Sequence, residues 1–263
     1  MKKILKNKYD IQQMRLSGKI TADVLTMIKN HIYPDISTQD INNICHHYIT
    51  KIKKAVPACL GYKSFPKSIC ISINDIVCHG IPDKNILLKK GDIVNIDVAV
   101  IKNNYYTDAS KMFFVGKVNT KKKLLCKITR KSLYQALKCI KPGIKINNIG
   151  KKIQKYVESQ KLHVVKEYCG HGIGNNFHEP PHILHYYNKY DCLKMQAGMI
   201  FTVEPMVNTR SQYVECMKDG WTVKTRDGGC SAQYEHTVLV NQKGCELLTH
   251  QKNEKIPKIF INN

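Results

Sequence analysis

Apolar residues near the start of the chain recur at helical spacing. Ile11, Met14, Ile20, Val24 and Ile28 fall on one face of a predicted helix, with Asp10 placed to cap it. Ser37-Thr38-Gln39-Asp40 has a hydroxyl and an acid three residues apart, the pattern that opens a helix, and Ile41, Ile44, Tyr48 and Ile52 follow on one side. The same order returns later, with helices predicted over 123–140 and 146–157. Elsewhere the apolar runs are short and continuous, which predicts strands over 68–73, 93–101, 108–115, 199–207 and 232–240. Helices in pairs followed by strands describe an α+β architecture, with antiparallel sheets and helices packed outside.

The recurrence extends to individual residues. Gly91-Asp92-Ile93-Val94-Asn95-Ile96-Asp97 is echoed by Gly198-Met199-Ile200-Phe201-Thr202-Val203-Glu204, which sets Glu204 107 residues after Asp97. Pro34 with Ile36, Ile41, Tyr48 and Ile49 is echoed by Pro142 with Ile144, Ile149, Tyr156 and Val157, an offset of 108. Cys59-Leu60-Gly61-Tyr62 faces Tyr168-Cys169-Gly170-His171 at an offset of 109 between Gly61 and Gly170. Three blocks at nearly one offset imply a duplicated half. No linker separates the halves, so one domain over 1–263 is expected, with pseudo-symmetric halves at 10–115 and 120–240.

Acids inside the apolar runs carry the chemistry. Asp97 sits in a run buried on both faces, where an unpaired carboxylate costs several kcal/mol, on the order of the penalty for any isolated buried charge. A turn at Lys102-Asn103 is predicted to bring Asp97 opposite Asp108, and two carboxylates that close repel unless a proton or a metal joins them. Glu204 and Glu235 repeat the anomaly in later strands. Glycines flank His171 in Gly170-His171-Gly172, with His178 seven residues on and His79 in Cys78-His79-Gly80. Four carboxylates and one imidazole suit two borderline divalent ions.

Composition narrows the setting. No apolar run approaches the ~18 residues of a membrane span, and lysines interrupt the N-terminal segment before a signal peptide can form, so a soluble cytoplasmic protein is expected, with no membrane partner. The 11 cysteines include no C-x-x-C pair, which favours a reducing compartment and argues against a structural zinc finger. Lys and Arg number 42 against 20 acids, a formal charge of +22 that draws the chain toward polyanions. AT-rich codon bias accounts for the same excess, and no RNA-binding signature accompanies it. Lys121-Lys122-Lys123 reads as the solvated start of a helix.

Val77-Cys78-His79-Gly80-Ile81-Pro82, Asn95-Ile96-Asp97-Val98, Tyr168-Cys169-Gly170-His171-Gly172-Ile173-Gly174, Phe201-Thr202-Val203-Glu204-Pro205-Met206 and Ser231-Ala232-Gln233-Tyr234-Glu235-His236-Thr237 closely resemble type I methionine aminopeptidase, the short bacterial form. The resemblance runs from about residue 10 to the C-terminus. It implies the pita-bread fold and removal of the initiator methionine from nascent proteins when the second residue is small and uncharged. It implies a dinuclear site at Asp97, Asp108, His171, Glu204 and Glu235, with Asp97 and Glu235 on one ion, His171 and Glu204 on the other, and Asp108 and Glu235 bridging. Fe²⁺, Mn²⁺, Co²⁺ and Zn²⁺ all suit that set.

By the same resemblance Glu204 receives a proton from water, His178 donates to the oxyanion, and His79 contacts the substrate or the leaving nitrogen. The methionine pocket would be walled by Cys59, Tyr62, Phe65, Cys70, Phe177 and Trp221, Phe65 standing where a tyrosine is expected. A monovalent cation is implied near Asn74 and Ser231. A cotranslational enzyme works beside ribosomal RNA, which gives the basic charge a use; a monomer is the default. No role is assigned to His46 and His47 on a helix, to His182 and His185 after Pro180-Pro181 in a loop, or to His236, which points away from Glu235. Three rival readings are a prolidase or aminopeptidase P, which carries an additional N-terminal domain, a binding protein that has lost catalysis, and a thiol peptidase using Cys169 or Cys59.

Overall fold

A computed structural model gives the fold over residues 4–252 and 254. Helices α1 (Lys8–Ile28) and α2 (Thr38–His47), the latter extended by a wider turn over Tyr48–Ile52, precede strands β1 (Val56–Pro57), β2 (Cys70–Ile73), β3 (Ile76–Cys78), β4 (Ile93–Lys102) and β5 (Tyr105–Phe114). Helices α3 (Thr120–Leu137) and α4 (Asn147–Ser159) then precede β6 (His163–Val164), β7 (Gly170–Gly172), β8 (Glu179–Ile183), β9 (Ile200–Val203), β10 (Met206–Asn208), β11 (Val214–Cys216), β12 (Val223–Thr225), β13 (Ser231–Gln233), β14 (His236–Val240) and β15 (Cys245–Leu247). All pairings among these strands are antiparallel. β1, β2 and β5 flank β4 in one sheet, and a second runs in the order β15-β14-β9-β7-β8.

The strand β4 shows why its sequence is almost continuously apolar. Val94, Ile96, Val98 and Val100 pack under α1 and α2 with Val24, Leu25, Ile28, Ile41 and Ile49. Asn95, Asp97 and Ala99 alternate with them and face the other way, so both sides are covered. In the second half Leu125, Leu133, Ile149 and Ile153 cover Phe201, Val203, Val238 and Val240 in the same manner.

Several expectations change. The cap of α1 is Asn7, and Asp10 is the third helical residue, its carboxylate accepting the Asn7 N–H while Asn7 accepts that of Asp10. The hairpin turn is Asn103-Asn104, both left-handed at φ 51° and 64°, so Lys102 pairs with Tyr105. Asparagine tolerates that conformation, and two such residues make the two-residue turn that matches strand twist. Asp97 therefore opposes Ser110, and Asp108 opposes Ala99, which leaves the acids diagonal on one face. The predicted strand over 199–207 breaks at Glu204-Pro205 and that over 232–240 breaks at Tyr234-Glu235. Pro205 has no N–H for a ladder. Lys122 turns inward, its ammonium on Asn74 Oδ1 at 2.7 Å and the Gly91 carbonyl at 2.9 Å. Among the described residues no helix is long and apolar enough to cross a membrane.

Candidate metal centre

The breaks in the long strands create the site. Pairing on either side, Met206 with Gln233 and Val203 with His236, sets Glu204 directly across from Glu235 at the interruption. The opposition of acids expected for the first hairpin thus occurs in the second half. β5 meets β14 at the same place: Thr237 Oγ1 accepts the Asp108 N–H at 3.0 Å and donates to the Asp108 carbonyl at 2.7 Å, while the Glu235 N–H reaches the Ser110 carbonyl at 3.1 Å. The two sheets join where their acids converge.

His171 comes from β7. Its Nδ1 lies 3.0 Å from the Gly172 carbonyl, to which it donates, leaving the Nε2 lone pair for the cavity. That Nε2 is 3.8 Å from Glu204 Oε1. Donor atoms of Asp108, His171 and Glu235 all lie within 4.8 Å of one another. Asp97 Oδ1, Asp108 Oδ1 and Glu235 Oε1 are buried without a hydrogen-bond partner. Bare buried carboxylate oxygens beside an imidazole lone pair are what a divalent cation satisfies.

The electrostatics agree. Burial pushes Asp97 up to about 6 and Glu204 up to about 8, and lifts Asp108 and Glu235 well above the carboxylate range, with neighbouring acids adding to the last three. Burial pushes His171 down to about 4. In the metal-free protein, imidazoles held below their ordinary 6.5 cost stability only as pH falls beneath that value. Acids held above their ordinary values cost stability as pH rises through their folded values. Between pH 6.5 and 8 only the carboxylates change, so the chelated protein is expected to lose thermal stability across that window. Divalent metal should flatten the slope; calorimetry with and without chelator tests this, and an equal slope in both would refute it.

Three groups hold Glu204. Thr202 Oγ1 donates to Oε1 at 2.7 Å while accepting the His171 N–H at 3.0 Å, Gln233 Nε2 donates to Oε2 at 3.3 Å, and His185 Nε2 accepts the Glu204 N–H at 3.1 Å. Thr202 and Gln233 each stand two residues before an acid, on the same strand face, which was the available signal. His185 is fully buried and is no loop spectator. His182 also gains a place, pairing with His171 across the strands and lining the cavity mouth. His46 is bonded to Ser68, and His236 to Thr249 and Glu254, both outside that cavity.

A cavity of about 470 Å³ opens beside the acids. Cys59, Tyr62, Phe65, Cys70, Phe177 and Trp221 all line it, together with His79 and His178 and with Tyr168, Cys169 and Met206, which had not been expected. Tyr62 stands edge-on to Phe177 at 4.9 Å and Phe65 to Trp221 at 5.1 Å. His178 stacks on Tyr62 at 5.1 Å and lies 4.1 Å from the His171 ring. Burial lowers His79 to about 4 and His178 to about 3, so both are neutral donors at working pH. His79 has a left-handed backbone, φ 57°, which turns it into the cavity behind Cys78. Contact with Cys59 comes first in raising the Cys70 thiol, and burial pushes that of Cys169, 3.7 Å from His182, up to about 11. At that value Cys169 lacks the thiolate a cysteine nucleophile needs.

Residues 12–242 match the model of metallopeptidase family M24. A methionine aminopeptidase of Buchnera aphidicola subsp. Schizaphis graminum is 62% identical over 259 residues, 98% of each chain. The chain belongs to the methionine aminopeptidases of family M24. The crystal structure of methionine aminopeptidase from Rickettsia prowazekii is 45% identical with a TM-score of 0.91, covering 94% of this chain and 99% of that one. A prolidase from Pyrococcus furiosus shares the fold alone, at 20% identity and a TM-score of 0.75, covering 95% of this chain and 66% of the prolidase. The fold is the pita-bread fold, α+β with antiparallel sheets. The enzyme binds divalent metal and removes N-terminal methionine by metal-dependent hydrolysis.

Proposed function

We propose that the substrate is the N-terminus of a nascent polypeptide whose second residue is small and uncharged, cut within one catalytic unit spanning the whole chain. The observation that carries this reading is the convergence of four acids and an imidazole beside a largely apolar cavity, with buried oxygens of Asp97, Asp108 and Glu235 left bare. Asp97, Asp108, His171, Glu204 and Glu235 would hold two divalent ions, which when bound supply Lewis acidity and water activated at neutral pH. The aromatic and thiol walls take an unbranched thioether, because sulfur packs well against ring edges. Phe65 meets Trp221 with a ring edge and needs no hydroxyl for that contact.

Glu204 receives the proton of the attacking water and passes it to the leaving amine, held in line by Thr202 and Gln233. His178 donates to the carbonyl oxygen as charge develops on it. His79 contacts the leaving nitrogen. The test is hydrolysis of Met-Ala and Xaa-Pro peptides by chelated enzyme with Fe²⁺, Mn²⁺, Co²⁺ or Zn²⁺ restored singly. Cleavage of Met-Ala supports the reading, and cleavage of Xaa-Pro peptides whose first residue is not methionine overturns it. A monovalent cation beside Asn74 and Ser231 would find the Ser231 hydroxyl oxygen buried without a hydrogen-bond partner, while Asn74 Oδ1 already accepts from the Lys122 ammonium at 2.7 Å and the Ile93 N–H at 3.2 Å. The Asn74 carbonyl accepts the Ser231 N–H at 2.8 Å, and we assign no step to such an ion.

The enzyme works in the cytoplasm as a monomer, and its +22 charge draws it to ribosomal RNA. Ribosome affinity is then expected to fall roughly 10³-fold between about 50 and 200 mM salt for about six phosphate contacts. Hydrolysis of a short neutral peptide should hardly respond over that range, since buried groups are weakly screened. Displacement from ribosomes by bulk RNA as efficiently as by ribosomes would leave only non-specific attraction.

A further inference from the structure

The turn that carries His178 is built around an ion pair reaching it from the far end of the chain. Lys6 Nζ meets Glu179 Oε1 at 2.5 Å, with side-chain exposures of 2% and 5%. Asn176 Nδ2 donates to the other oxygen of Glu179 at 3.2 Å, closing the turn from within. Gly174 leaves the room: a Cβ there would lie 2.4 Å from Lys6 Nζ and 3.0 Å from Glu179 Oε1. Lys6 is itself anchored, its N–H donating to the Gly198 carbonyl at 2.9 Å beside a bridge between Leu5 and Met199. Met199 leads directly into β9, at whose end stands Glu204.

This segment therefore ties the strand that delivers Glu204 to the turn that delivers His178. A buried ion pair is a poor way to gain stability, because desolvating two charges offsets most of their attraction, yet it fixes geometry, since each charge tolerates only one place. Glu179 is the immediate neighbour of His178. We infer that Lys6, acting through Glu179, is a positioning residue that sets the distance between His178 and the metal centre; this rests on the oxyanion role proposed for His178.

Kinetics of Lys6→Met and Glu179→Gln, singly and together, in native and His178→Ala backgrounds test it, with metal binding to each apoprotein measured by calorimetry. A displacement of His178 by ~1 Å is expected to lower kcat about 10²-fold in each single variant, with KM and metal affinity changing less than about threefold. In the double variant neither charge is left alone, and about tenfold of the loss should return. In the His178→Ala background the same changes should lower kcat by less than about twofold, because the group they place is gone. If Lys6→Met does not fold, the double variant carries the comparison, with a loss of about tenfold expected only where His178 is present. An equal loss in both backgrounds, an unchanged kcat in the variants, or a loss of metal affinity in parallel with kcat overturns the positioning role. A native kcat in His178→Ala overturns the oxyanion role instead.

Discussion

Asp108→Asn is expected to abolish metal-dependent hydrolysis while yielding a metal-free protein more stable than the parent. Asp108 is 6% exposed, diagonal to Asp97 on the same strand face, and its main chain is clasped on both sides by Thr237. Burial first, and Asp97 next, push its carboxyl well above the usual range, which measures how poorly its charge is tolerated without a cation. Asparagine keeps the shape and the Thr237 bonds, and removes one of four converging charges. Above neutral pH the apoprotein should gain on the order of 1 kcal/mol, about 2–4 °C in Tm for a chain of this size. Metal binding should weaken sharply in the same variant. Full activity at saturating metal would sink the dinuclear assignment, and a lower apoprotein Tm would show that Asp108 is tied by a hydrogen bond rather than strained by its neighbours.

His178→Ala is expected to lower kcat about 10²- to 10³-fold, the usual loss for one oxyanion donor. Metal content should not change, because the five donor side chains stand without it. The ring stacks on Tyr62 and abuts Phe177, so a modest rise in KM should accompany the loss as the pocket wall loosens. Steady-state kinetics with metal analysis of the same sample checks this. Loss of a metal equivalent would move His178 into the coordination set, and a raised KM with native kcat would make it a substrate contact only.

The site residues were legible because each breaks a rule of its surroundings. Asp97 and Glu204 are acids in otherwise apolar runs, and His171 stands between glycines. The residues that hold them were not legible. His185 follows two prolines in an unremarkable stretch, and nothing local reveals that its ring accepts the Glu204 N–H from nineteen positions away. Lys122 lies in a lysine run that reads as solvated, and only the fold brings Asn74 and the Gly91 carbonyl to its ammonium.

The sequence by itself determined the helix faces, the strands of the first hairpin, the duplicated order of elements and the acids and histidine of the candidate site, because periodicity and the cost of burying charge act within a few residues of each position. Tertiary structure decided the rest. The conformations of Asn103 and Asn104 moved the first pair of acids from opposite to diagonal, since one residue of turn resets the pairing of every residue beyond it. Pro205 broke a strand so that Glu204 and Glu235 came face to face. The ion pair of Lys6 with Glu179 spans 173 residues, and a contact of that range exists only once the strands between have found their places.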